Sequence, residues 1–320
     1  MLHGGFVVQS KNYRIWIRIA VIGILLALMA FCVPSGSVVA EEYASLPMED
    51  VGGPEPDSDC YTDTTYTDPS LSVEIFYDTN GETAYIYAHV RIIDPTQIRS
   101  ASAANFNYMY TMPAVSIAQR VNAVLAINGD YYNHQQRVGY IVRQGKRYRN
   151  SPTGQDLLLI DSEGNFRVLY GPDSREIMEA YLAGLPDGIE IWQTFSFGPV
   201  LIDGGEVVYT ENDEYFEIST DKKTQRVGIG QLGPLEYYIV STEGPEDDPD
   251  SGFTVADFAL LMDEIGSKLS DTGATVAYNL DGGSSNTLVF NNQKINSTDR
   301  DKVRSVGDII YFSTLVDSGN

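Results

Sequence analysis

The chain has 320 residues, 43% of them hydrophobic and 20% charged, with a formal charge of −23 at pH 7. This composition suits one sizeable globular domain and excludes a disordered chain. The excess of acid argues against nucleic acid and anionic membrane surfaces as partners, since both need a basic face.

The first 40 residues differ in kind from the rest. Lys11, Arg14 and Arg18 precede an apolar run from Ile19 to Val33, and small residues lead to Ala40. This order predicts a secretory signal peptide, with a retained signal anchor as the alternative. A fifteen-residue run is short for a span of about 20 residues. Either way the chain is expected to be secreted or held at the cell surface, with membrane contact only through this segment if it is uncleaved. Cys32 lies within the run, so Cys60 stands alone in the exported part and no internal disulfide is expected there.

Residues 41–69 hold nine acids, four prolines and no Lys or Arg. They read as an acidic disordered linker, which places the folded domain at 70–316. From there strands dominate. Residues 83–93 alternate, with Tyr85, Tyr87, His89 and Arg91 on one face and Ile86, Ala88, Val90 and Ile92 on the other. A short helix over 113–122 leads into a strand at 123–128. Hairpins are expected over 156–169 and 198–209, and a helix over 174–185. "RVGIGQ" and "LEYYIVST" form a further strand pair. The clearest helix is 255–269, where Thr254 and Asp257 fit a capping pattern and Val255, Phe258, Met262, Ile265 and Leu269 share a face. The class is α+β: a predominantly antiparallel β-sheet core with a few packed helices in a single domain.

Several chemistries are absent. There is no phosphate-loop signature and no nucleophile elbow. Only His3, His89 and His134 occur, so a His-based zinc site or a Ser-His-Asp triad is not expected. His89, on its alternating strand, reads as an ordinary half-exposed residue. What remains is polar and glycine residues where strands stop: "AINGDYYN" (126–133), "SFGPVLIDGG" (196–205), "QRVGIGQ" (225–231), "STEGPEDDPDSGF" (241–253) and "NLDGGSSN" (279–286). Taken singly, Asn-Gly-Asp and Asp-Gly-Gly are turn formers. The acidic loop 243–252 is simply solvated or, alternatively, a Ca²⁺ site, although it lacks the EF-hand register. Taken together, the set suits carbohydrate, with polar acceptors for hydroxyls, tyrosines for sugar faces and paired carboxylates for glycoside cleavage.

These motifs, with the capped helix "GFTVADFALLM", occur in an order that resembles the phosphodiester glycosidase family, over roughly residues 70–315. That family includes the lysosomal uncovering enzyme and bacterial relatives linked to exopolysaccharide. The resemblance implies hydrolysis of a sugar-1-phosphodiester, or a related cell-envelope glycan, by carboxylate acid/base chemistry. By motif, Asp281 and Glu243 are the implied carboxylates, and Asn279 and Asn128 the polar groups flanking them. Arg226 is given the phosphate, and Gly282 and Gly283 would let backbone N–H groups approach it. Ser284 and Tyr131 join the substrate-binding set. Asp130 departs from the lysosomal pattern, which has Gly there, and a catalytic or cation-binding part is open to it. No cofactor is required by this reading, and Ca²⁺ is the one metal suggested. A non-catalytic cell-surface glycan-binding module is the alternative function, and an envelope scaffold a third.

Overall fold

The computed structural model describes residues 43–49, 52–106, 110–130, 139–152, 154–210, 220–245, 248, 250–296 and 304–317. The expected signal segment lies outside these residues, as do Tyr131 and His134. All the described residues fall within one unit, Tyr43–Asn320. Among them no helix is long and apolar enough to cross a membrane.

In chain order the first strands are β1 (Thr65–Thr67), β2 (Leu71–Thr79), β3 (Ala84–Ile92), β4 (Ile98–Ser102), β5 (Leu125–Asn128), β6 (Gly139–Arg143), β7 (Lys146–Ser151), β8 (Leu157–Asp161) and β9 (Phe166–Leu169). They are followed by β10 (Ile191–Phe195), β11 (Val200–Asp203), β12 (Glu206–Val207), β13 (Val227–Gly233), β14 (Glu236–Thr242), β15 (Val276–Leu280), β16 (Leu288–Phe290), β17 (Gln293–Lys294) and β18 (Asp308–Phe312). The helices are α1 (Ala114–Arg120), α2 (Arg175–Ala183) and α3 (Val255–Leu269). The expected α+β class is what the chain adopts.

Two antiparallel sheets make the body of the fold. The larger has the order β1-β2-β3-β14-β13-β15-β11-β12, and the smaller β17-β16-β5-β18-β4. Their facing sides share one core, in which Val90, Ile229 and Tyr278 of the large sheet join Ile127, Phe290 and Ile310 of the small one. Helix α3 covers the outer face of the large sheet, burying Val255, Phe258, Met262 and Ile265 completely. Each such side chain contributes about 1.5–3 kcal/mol by leaving water. Helix α1 covers the small sheet with Ile117 and Ala118. The layers are thus helix, sheet, sheet and helix.

The alternation on β3 is present, yet both of its faces are buried because α3 packs beside Tyr85 and Tyr87. His89 is accordingly not half-exposed. It keeps 5% of its surface, and its Nε2 lies 2.7 Å from Glu236 Oε1.

The acidic stretch 41–69 is folded, where it is described, and is not a disordered linker. Strand β1 pairs with β2. Tyr66 is 1% exposed and donates its hydroxyl hydrogen to Asp68. Leu46 is buried with its N–H on Thr96 Oγ1, and Arg99 Nη2 donates to the carbonyls of Pro47 and Glu49. The reason is local: several acids accept turn N–H groups, as Asp57 does from Asp59 and Asp68 from Ser70 and Leu71. The interspersed Leu46, Tyr61 and Tyr66 then dock on the core. The folded domain begins before Ser70.

Candidate active site

"NLDGGSSN" is not a hairpin. Strand β15 lies in the large sheet between β13 and β11, whereas β16 lies in the small sheet between β5 and β17. Residues 281–287 therefore carry the chain from one sheet to the other at the edge of the shared core. A Cβ at Gly282 would collide with the Gln225 carbonyl, which sets the need for glycine there. Gly283, at φ +55°, donates its N–H to the same carbonyl at 3.0 Å. A single 3₁₀ turn, Gly283–Ser285, completes the crossing. Asn128, at the end of β5, clamps the loop at both ends. Its Nδ2 donates to Asp281 O at 2.7 Å, and its Oδ1 accepts from Thr287 N at 3.1 Å. Asn286 adds bonds to the carbonyls of Arg226 and Thr242.

This crossing leaves the Asp281 carboxylate at the mouth of the inter-sheet core, with 16% of its side chain exposed. Burial raises its pKa to about 6; Asp130 adds to the rise, while the Ser285 hydroxyl and Arg304 oppose it. Arg304 stands just before β18 with its backbone N–H on Ser284 O at 2.8 Å. Its Nη1 lies 3.9 Å from Asp281 Oδ2, and the side chain is 52% exposed. Behind them, Arg143 at the end of β6 joins two more acids. Its Nη2 is 3.2 Å from Asp130 Oδ1 and 2.7 Å from Asp308 Oδ2, with all three side chains fully buried. Asp130 Oδ2 also accepts from Ser196 N at 2.8 Å. The Arg143 guanidinium sits 4.4 Å from the Phe195 ring centroid.

The expected site residues thus separate into groups. Asp281, Asn128, Asn279, Gly282, Gly283 and Ser284 come together at the crossing, with Asp130 behind them. Asn128 and Asn279 are nevertheless buried structural clamps, the latter donating to Gly198 O at 2.8 Å. Gly283 gives its N–H to the Gln225 carbonyl, so it does not face a phosphate. Asp130 is 4% exposed with a donor on each oxygen, and this geometry corrects its expected direct catalytic part.

Arg226 is also corrected. It is 4% exposed, and its Nε and Nη2 donate to the carbonyls of Phe253 and Lys222, on the α3 side of the sheet. The strand's alternation decides this: Val227 and Ile229 face the inter-sheet core, so Arg226 faces away. Glu243 is half-buried just beyond β14. Strands β14 and β15 both flank β13, since Val227 pairs with Ser241 and with Leu280. Glu243 and Asp281 therefore leave the same end of the sheet, about 10 Å apart at the backbone. Tyr131 lies outside the described residues. Among those residues no group of three or more His, Cys, Asp or Glu side chains converges to hold a metal ion.

Sequence reasoning missed Arg143, Asp308 and Arg304. A signal for the first two was present. "GYIVR" and "DIIYF" are apolar strands with one charge at an end, and a charge there must find a buried partner. Arg304 follows a polar stretch and carried no comparable signal.

The sequence profile of the phosphodiester glycosidase family matches residues 121–313, which span β5 to β18 and every residue of the cluster. No curated protein matches. Among solved structures, the zebrafish N-acetylglucosamine-1-phosphodiester alpha-N-acetylglucosaminidase catalytic domain, auto-inhibited by its pro-peptide, is similar at 18% identity and a TM-score of 0.59. That match covers 82% of this chain and 87% of the zebrafish domain. A hypothetical protein from Synechocystis is similar at 15% identity and a TM-score of 0.52, over 76% of this chain and 62% of its own. These likenesses concern the fold; the profile, matching more than half of the chain, establishes the relationship. The chain belongs to the phosphodiester glycosidase family.

Proposed function

We propose that the chain hydrolyses a glycosyl phosphodiester of the cell exterior, with Asp281 as the working carboxylate and Arg304 as the phosphate ligand. The observation that supports this is the Asp281–Arg304 pair, a carboxylate on the crossing loop and a half-exposed guanidinium just before β18, 3.9 Å apart. A phosphomonoester leaving group has a second pKa of about 6 and departs without a proton from an acid. The reaction then needs an ionised carboxylate to attack the anomeric carbon or to activate water, and a cation to meet the departing charge. Asp281, at a pKa of about 6, is ionised at neutral pH. Arg304 replaces Arg226 in the phosphate role because its guanidinium reaches solvent. Glu243 is retained as the second carboxylate. It leaves the same end of the large sheet as Asp281, two strands away across β13.

Export rests on the basic and apolar character of residues 1–40, and a role for Ca²⁺ rests on the acidic loop 243–252. The test is turnover of glycosyl phosphodiesters by the exported part of the chain, with and without Ca²⁺. Release of free sugar, lost in Asp281→Asn, supports the reading. Binding of a glycan that stays uncleaved would favour the glycan-binding alternative.

A further inference from the structure

Asp308 is the first residue of β18 and points into the shared core with Ile310 and Phe312, which follow it at intervals of two. Its side chain is fully buried. Its Oδ2 meets Arg143 Nη2 at 2.7 Å, and that same nitrogen also serves Asp130 Oδ1 at 3.2 Å. Its Oδ1 is buried and, among the described residues, has no hydrogen-bond partner. Glycine at 129 leaves room for that oxygen, since a Cβ there would collide with it. Asp130 is better provided, because Ser196 N donates to its second oxygen. An ionised carboxylate with one buried oxygen unmatched by the protein is among the costliest groups a fold can hold. A neutral carboxyl in the same place forgoes only a hydrogen bond.

We propose that Asp308 carries a proton in the folded protein at neutral pH, and that this neutral group positions the charge balance in which Asp281 works as a carboxylate. The juxtaposition that carries it is one guanidinium nitrogen shared by two buried acids beside a third at the mouth of the core. The ionisable groups facing the cluster, among the described residues, are Asp130 after β5, Arg143 on β6, Asp281 after β15 and Arg304 before β18. Strand β4 presents Ser102 opposite Asp308, and β10 presents Phe195 over the guanidinium. Burial and the neighbouring Asp130 and Asp281 all raise the Asp308 pKa, against the pull of Arg143. Were Asp308 ionised, its charge would oppose ionisation of Asp281. Kept neutral, it spares Asp281 that repulsion. Asp308 is thus a positioning residue that touches no substrate.

The role of Asp281 here rests on the proposed function, so the experiment has one arm that needs no substrate. Infrared difference spectra of the full chain, unmutated against Asp308→Asn, are recorded at neutral pH. The expected result is a protonated-carboxyl carbonyl band in the unmutated protein that the variant lacks. If Asp308→Asn does not fold, aspartate-selective ¹³C labelling of the unmutated chain reads the same proton, as a buried carboxyl that keeps its protonated shift through neutral pH. In the kinetic arm, the acidic limb of the pH profile of kcat/KM stays within about half a unit in Asp308→Asn, because Asn imitates the neutral acid. In Arg143→Gln the limb moves up by about one unit or more, and Arg143→Lys restores it in part. Absence of a protonated carboxyl overturns the proposal, as does a limb that falls by a full unit in Asp308→Asn. Absence of turnover with the band present would defeat the proposed function and leave the proton on Asp308 standing.

Discussion

Asp281→Asn is expected to abolish turnover and to stabilise the fold. Burial lifts the Asp281 pKa from 3.8 to about 6. Two units at about 1.4 kcal/mol each make roughly 3 kcal/mol by which the native state disfavours the ionised form. The side chain is 16% exposed and Arg304 lies near it, so solvent screening trims the figure to about 2 kcal/mol. The sign follows from proton binding. Between pH 3.8 and about 6 the native carboxyl holds its proton while the unfolded one has lost it, so stability falls as pH rises through that window. Asparagine does not titrate. Variant and parent should therefore be alike near pH 4, diverge toward pH 6, and differ by about 2 kcal/mol above it, or about 4–8 °C in Tm for a domain of this size. Urea and thermal unfolding across this pH range measure the gap. A variant no more stable than its parent at pH 7.5, or a gap independent of pH, would refute the claim that burial strains this carboxylate.

Arg304→Gln should lower kcat/KM on glycosyl phosphodiesters by about 10–100-fold while leaving a neutral aryl glycoside within about twofold, which steady-state kinetics on the two substrates would read. Arg226→Met should act on stability, because the carbonyls of Phe253 and Lys222 lose a charged donor carried on a buried side chain. A loss of about 2–4 kcal/mol in chemical denaturation, with KM unchanged in the folded fraction, is the expected pair of results. A selective rise in KM would return Arg226 to the site. Gly129→Ala should cost about 1–3 kcal/mol by driving a methyl group into the Asp308 carboxyl, and a neutral effect would mean the core yields there.

The linear pattern of residues was enough for the class, most elements and the important loops. Alternation on β3, the turn residues between β8 and β9 and between β11 and β12, and the Thr254 cap of α3 are local features, and local chemistry determines them. The strand-end motifs in family order also singled out Asp281 as a candidate carboxylate. Tertiary structure decided everything that depends on which side of a strand faces what. Arg226 and Gln225 are neighbours in sequence, yet the pleat sends the arginine toward α3 and away from the site. Residues 41–69 look like a solvated acidic coil until Leu46 and Tyr66 find a surface to cover. Arg143, Arg304 and Asp308 lie far along the chain from "NLDGGSSN", and they meet Asp281 only because 281–287 crosses between the sheets. A sequence records a charge at the end of an apolar strand. Only the packing of two sheets assigns that charge its partner, its burial and therefore its proton.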